Sequence, residues 1–115
     1  MAQGIAGAFG ARAEVRYRRL CKPTVNDKRM TALMKGVAEE IVGKEGMVDG
    51  VRTMGGEDIS FFLARVPGAF AFVGSAPPGA QASPHHSPTF DIDEDALVIG
   101  AELLARTAVR YLESG

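Results

Sequence analysis

The sequence predicts an α/β fold, and three observations predict it. Stretches with the two-residue alternation of strands interleave with stretches of helical period. A short run, AFAFV at residues 69–73, is continuously apolar and bounded by glycines, as a strand buried on both faces would be. The resulting order is helix, strand, helix, strand, helix, strand, helix. That alternation fits parallel pairing with right-handed crossovers.

The first element is a short helical piece with Ile5, Ala8 and Phe9 on one side. Alternation follows: Ala13, Val15 and Tyr17 face one way, and Glu14, Arg16 and Arg18 the other, which predicts a strand with one wet face. Met30, Leu33, Met34, Val37 and Ile41 then fall at helical spacing and form one apolar stripe. Asn26 is placed to cap this helix, Asp27 suits its positive end, and Gly43 can close it. Val48, Val51 and Thr53 suggest a second strand. Ile59, Phe62, Leu63 and Val66 share a face of a short helix that Pro67 and Gly68 stop. The buried strand at 69–73 comes next.

A long loop, GSAPPGAQASPHHSPTF, leads into the last helix. Asp93 is the candidate cap of that helix, and Ile92 and Leu97 stand at the positions of a hydrophobic staple. Glu94 and Asp95 suit its start, Arg106 and Arg110 its end. The change of pattern between Cys21 and Asn26 could mark a hinge between two domains.

Composition bounds the function. The chain has 115 residues, 46% of them hydrophobic, and a formal net charge of −1. Its charges are mixed, so it offers no basic footprint for nucleic acid and no polybasic membrane patch. No apolar run approaches the roughly 18 residues needed to span a bilayer, and the glycine-interrupted N-terminus is not read as a signal peptide. The expectation is a cytoplasmic protein. The single cysteine, Cys21, excludes an internal disulfide and reads as a small hydrophobe.

Few residues here can carry chemistry. His85 and His86 are the only histidines, side by side in a loop. A neutral imidazole suits zinc, and a loop histidine is also often merely exposed. Glu57 and Asp58 follow two glycines. They fit an ordinary helix start, although the glycine pair points to a close backbone approach.

Four stretches in series, KPTVND, MGGEDISFFL, VPGAFAFVG and HHSPTFDIDEDALVIGAELL, resemble the C-terminal third of the hippurate hydrolase and N-acyl-amino-acid amidohydrolase family. The resemblance runs from about Ile5 to Leu112. It implies the C-terminal portion of a zinc-peptidase-like α/β catalytic domain, residues 23–115. Residues 1–22 would be the last helix and strand of an inserted lid, or dimerisation, domain. Met1 would then begin a truncated frame or a partial gene.

The family hydrolyses the amide bond of N-acyl amino acids at a binuclear metal centre. The resemblance assigns His86 as a metal ligand, and Glu57 and Asn26 as residues near substrate. His85 falls where the family varies, and Ile59 stands where the family usually has Phe. The implied cofactor is a divalent metal, zinc or manganese, in the intact enzyme. The implied partner is a small N-acyl amino acid, and lid pairing implies a homo-oligomer. No catalytic residue is assigned. A zinc site needs about three protein ligands, so this chain is expected to bind no metal tightly and to be inactive alone. The competing expectation is a small non-catalytic α/β module that binds a protein through an exposed sheet edge.

Overall fold

Four helices form within the stretches the sequence gives to helices, although the third ends at Leu63, short of Val66 and Pro67. The computed structural model describes residues 1–79 and 83–114; the middle of the expected long loop, 80–82, lies outside the described residues, as does residue 115. The elements are α1 (Ala2–Ala8), α2 (Lys28–Val42), α3 (Ile59–Leu63) and α4 (Asp95–Glu113). The helix α1 ends in a turn where Gly10 takes a positive φ of 69°. Ala11 N there donates to Ala6 O at 2.8 Å. Its apolar side is not covered: Ile5 and Phe9 are both exposed.

The start of α2 corrects the expected cap. Asp27, not Asn26, is the N-cap: its backbone is extended and its carboxylate accepts from Met30 N at 2.9 Å. Thr31 Oγ1 adds a bond to Asp27 O at 2.6 Å. Asn26 is unavailable for capping because its amide is spent on another segment, described below. Gly43, at φ 73°, ends α2 as expected, with its N–H on Glu39 O. At α4 the N-cap is Glu94, not Asp93; Asp93 stands one residue farther out, where its carboxylate still accepts from Asp95 N at 3.0 Å.

Helices α2 and α4 pack against each other, and their seam is the core. Val37 of α2 is fully buried and Leu103 of α4 nearly so. The rest of the predicted α2 stripe, Met30, Leu33, Met34 and Ile41, is half-buried around Val37. Gly36 faces α4: a Cβ there would meet the Arg110 guanidinium at 3.9 Å, an ordinary contact. Thr107 is buried in α4, and its hydroxyl has no hydrogen-bond partner among the described residues.

The α/β expectation is wrong. The described residues contain helices and no strand. The alternating stretch at 13–18, the stretch at 47–53 and the apolar run at 69–73 all lie outside regular structure. A strand exists only through the ladder that satisfies its backbone, and none of these segments finds a partner there. Strand preference measures the fit to neighbours more than a property of the segment itself. The alternation therefore survives as a sequence pattern without the sheet. The competing expectation of a module with an exposed sheet edge falls with it.

The helices do not gather into a closed globule. The radius of gyration is 19.7 Å, against about 13 Å for a compact chain of this length. The accessible surface is 9729 Å², against about 6,000 Å² for a compact monomer of this mass. Among the described residues, no helix is long and apolar enough to cross a membrane.

Candidate functional site

The His85–His86 pair occupies a tight turn. Ser87 N closes it on Pro84 O at 3.2 Å, and a second turn follows with Phe90 N on Ser87 O at 3.1 Å. Hydroxyls brace the pair of turns: Thr89 Oγ1 lies 2.9 Å from Ser87 Oγ and 3.2 Å from Ser83 Oγ. His86 is exposed and has φ 64°, the one positive φ outside glycine among the described residues. It holds the third position of the turn, where a positive φ ordinarily calls for Gly or Asn. His85 turns away and sets its ring edge-to-face on Phe90, centroids 5.1 Å apart. The two imidazole centroids are 6.5 Å apart, with the rings inclined at 72°. The base of the loop is fixed by Asp93 N donating to Ser75 O at 2.8 Å.

Among the described residues, no three His, Cys, Asp or Glu side chains gather to hold an ion. The donors among the described residues therefore do not by themselves fit a metal centre, which takes about three protein ligands. The turn presents one exposed imidazole on a constrained backbone.

Asn26 makes a paired contact with the backbone of Phe70. Its Nδ2 donates to Phe70 O at 2.8 Å, and its Oδ1 accepts from Phe70 N at 2.9 Å. Asp27 N adds a bond to Gly68 O at 2.8 Å. The Asn26 amide thus behaves as a peptide group would in a ladder. One N–H and one lone pair remain, because the amide has two of each.

Glu57 is half-buried just before α3, and its carbonyl accepts from Ser60 N at 3.1 Å. The glycine ahead of it has a structural reason. A Cβ on Gly56 would come within 2.7 Å of Cys21 Sγ. The close approach that the glycine pair signals is made by this chain's own cysteine. Beside it, Lys22 N donates at 3.3 Å to Ser60 Oγ, whose residue is only 1% exposed.

Residues 21–27 thus carry Asn26 and also touch Gly56 and Ser60, on either side of Glu57. Among the described residues, no hydrogen bond joins the His85–His86 turn to Asn26 or Glu57. Sequence reasoning missed Ser60 and Phe70. A serine inside an apolar helix face was the available signal for Ser60; Phe70 participates through its backbone, which side-chain patterns do not report.

Electrostatic perturbation lies elsewhere, at the rim of the α2–α4 seam. Glu40 accepts from Arg110 at 2.7 Å and also pairs with Arg106, which reaches Glu102 at 3.1 Å. The Arg110 hydrogen bond holds the Glu40 carboxyl below its ordinary value, and Glu40 raises Arg110 in return. This exposed network ties helices together and has no reacting group near it.

A groove runs beside α4, lined by Val73, Ser75, Ile92, Ala96, Leu97 and Gly100. Both expected staple residues, Ile92 and Leu97, lie in it.

Comparison with known proteins bears on the whole chain. "IAA-amino acid hydrolase ILR1-like 4" of Arabidopsis thaliana is 44% identical over 92 residues, which is 78% of this chain and 21% of that protein. "Putative amidohydrolase YhaA" of Bacillus subtilis is 36% identical over 110 residues, 95% of this chain and 28% of that protein. "N-acetyl-L-cysteine deacetylase" of the same organism is 33% identical over 110 residues, 96% of this chain and 25% of that protein. The chain thus spans between about a fifth and just over a quarter of the relatives' lengths. No solved structure matches it. The model of the peptidase family M20/M25/M40 matches residues 4–110. Over almost its whole length, then, this chain belongs to the peptidase family M20/M25/M40.

Proposed function

We propose that this chain is the C-terminal part of a metal-dependent amidohydrolase that cleaves the amide bond of N-acyl amino acids, and that it is inactive alone. The names of the relatives support this reading: one is an IAA-amino acid hydrolase, one an amidohydrolase and one an N-acetyl-L-cysteine deacetylase. In this reading residues 1–22 end the lid domain and 23–115 belong to the catalytic domain. The intact enzyme uses zinc or manganese, works on a small N-acyl amino acid and assembles as a homo-oligomer.

The observation that carries the assignment of His86 is its backbone. A non-glycine residue in the left-handed region costs energy, and such strain persists where the surroundings over-determine it, commonly at functional sites. The turn braced by Ser83, Ser87 and Thr89 holds the imidazole exposed on that backbone. His86 supplies one ligand; the other ligands and the general base come from other parts of the intact enzyme. Glu57 and the remaining N–H of Asn26 face the substrate.

A chimera tests the proposal. The matching 110 residues of the Bacillus subtilis amidohydrolase are replaced by this chain. The chimera is expected to hydrolyse N-acyl amino acids with added zinc or manganese, and His86→Ala to abolish turnover while the protein stays folded. Full turnover by the His86→Ala chimera would remove His86 from the metal centre.

A further inference from the structure

Residues 21–27 form a short connection fastened at both ends. At one end the Cys21 sulfur covers Gly56, and Lys22 N is bonded to the buried Ser60 hydroxyl. At the other, Asn26 grips both backbone groups of Phe70, and Asp27 N holds Gly68 O. Pro23 lies between them, with its φ locked by the ring. Only three residues, Pro23, Thr24 and Val25, separate the Lys22 anchor from Asn26. The first anchor cannot yield easily, because Ser60 is 1% exposed and its carbonyl is bonded to Ala64 N within the α3 turn.

We propose that residues 21–27 act as one strap that sets Asn26 and Glu57 together, with Gly56 and Ser60 as its positioning residues. Displacing the strap at Phe70 shifts the cysteine seated on Gly56, and with it the residue that leads into Glu57. Displacing it at Gly56 loosens the grip on Phe70. The proposal deepens the reading in which Asn26 and Glu57 face substrate, since it names what fixes their relative position. Coupling of this kind is reciprocal by thermodynamic necessity.

The experiment reads the coupling without substrate, on the 115-residue chain. Cys21 is the only cysteine, so thiol reaction with a small disulfide reagent reports one end of the strap. Amide hydrogen exchange at Phe70 reports the other. Asn26→Ala is expected to speed the Cys21 reaction about fivefold or more, with helix content unchanged. Gly56→Ala is expected to speed Phe70 exchange by a comparable factor. Adding Cys21→Ala to Gly56→Ala removes the sulfur that the new methyl group strikes, and restores slow exchange.

Fast Phe70 exchange in Asn26→Ala with an unchanged Cys21 rate would show that the two ends are independent, and would overturn the proposal. So would a double variant that keeps the fast exchange of Gly56→Ala, or wild-type rates in every variant. If Asn26→Ala loses helix, the Gly56→Ala and Cys21→Ala pair decides the matter. Failure of the amidohydrolase reading would appear in the chimera and would leave these rates as they are.

Discussion

Glu40 of α2 accepts the Arg110 guanidinium of α4 at 2.7 Å, and that guanidinium lies over Gly36 one turn earlier. The same carboxylate takes Arg106, so one acid on α2 is held by two bases on α4. The pair sits beside Val37, the most deeply buried hydrophobic side chain. It thus closes the edge of the seam where the two helices need alignment.

The acid response of the seam follows from the sign of the shift. Arg110 lowers the folded-state value of Glu40 from its ordinary 4.5. Its contribution is therefore complete above that value and is lost as pH falls through the lowered one. Helix content followed by circular dichroism from pH 5 to 2, on the order of the carboxylate range, is expected to fall less steeply in Glu40→Gln. Added salt is expected to shrink the difference, because exposed pairs are screened. Identical acid profiles would remove Glu40 from the seam's stability.

Thr107 offers a stabilising substitution. Its hydroxyl is buried without a partner among the described residues. Thr107→Val keeps the shape and removes the unpaired group, so stability to urea is expected to rise by about 1 kcal/mol. Leu103→Ala, on the same face, is expected to cost about 2–3 kcal/mol. A Thr107→Val chain less stable than wild type would show that the hydroxyl has a partner.

At Asn26, aspartate is a sharper probe than alanine. Asn26→Asp keeps an acceptor for Phe70 N but sets a second oxygen against Phe70 O, which Nδ2 now reaches at 2.8 Å. At neutral pH the variant is expected to lose about 1–2 kcal/mol. Below about pH 4 the protonated acid can donate to that carbonyl, so the deficit against wild type at the same pH is expected to narrow. Urea titrations at pH 7 and pH 3.5 measure both values.

His86→Gly separates backbone strain from ligation. Glycine relieves a left-handed cost of about 1–2 kcal/mol and loses about 0.5–1 kcal/mol through its greater freedom when unfolded. The melting temperature is therefore expected to stay level or rise slightly, whereas His86→Val is expected to melt lower. A marked drop for His86→Gly would show that the imidazole holds the turn together.

The exposed side of α4 predicts association. Leu97, Leu104 and Leu112 are 61%, 67% and 78% exposed, and Val98 and Val109 lie open as well. Size-exclusion chromatography across a concentration series is expected to show species larger than the monomer. A single monomeric peak at every concentration would count against this.

The helices were legible in the sequence because their signals are local. The stripe from Met30 to Ile41 and the acids ahead of α4 each act within one or two turns, whereas α3 already stops at Leu63, before Pro67 and Gly68 can act. The strands were misread because alternation at 13–18 and apolarity at 69–73 describe what a sheet would accept without supplying its neighbours. The cap of α2 was misplaced by one residue for a related reason. Asn26 and Asp27 are equally good caps locally, and the distant backbone of Phe70 takes the first and leaves the second. The family was legible from four motifs in series, whereas the contact of Cys21 with Gly56 depends on a fold that no motif spells out.

The bond from Asp93 N to Ser75 O pins the two feet of the histidine-bearing loop side by side. With the feet pinned, the span between them can change length without passing that change into α4. Doubling such a span costs only about 0.6 kcal/mol in closure entropy. Insertions near the turn at Pro78 and Gly79 should therefore leave the helix behind it in place.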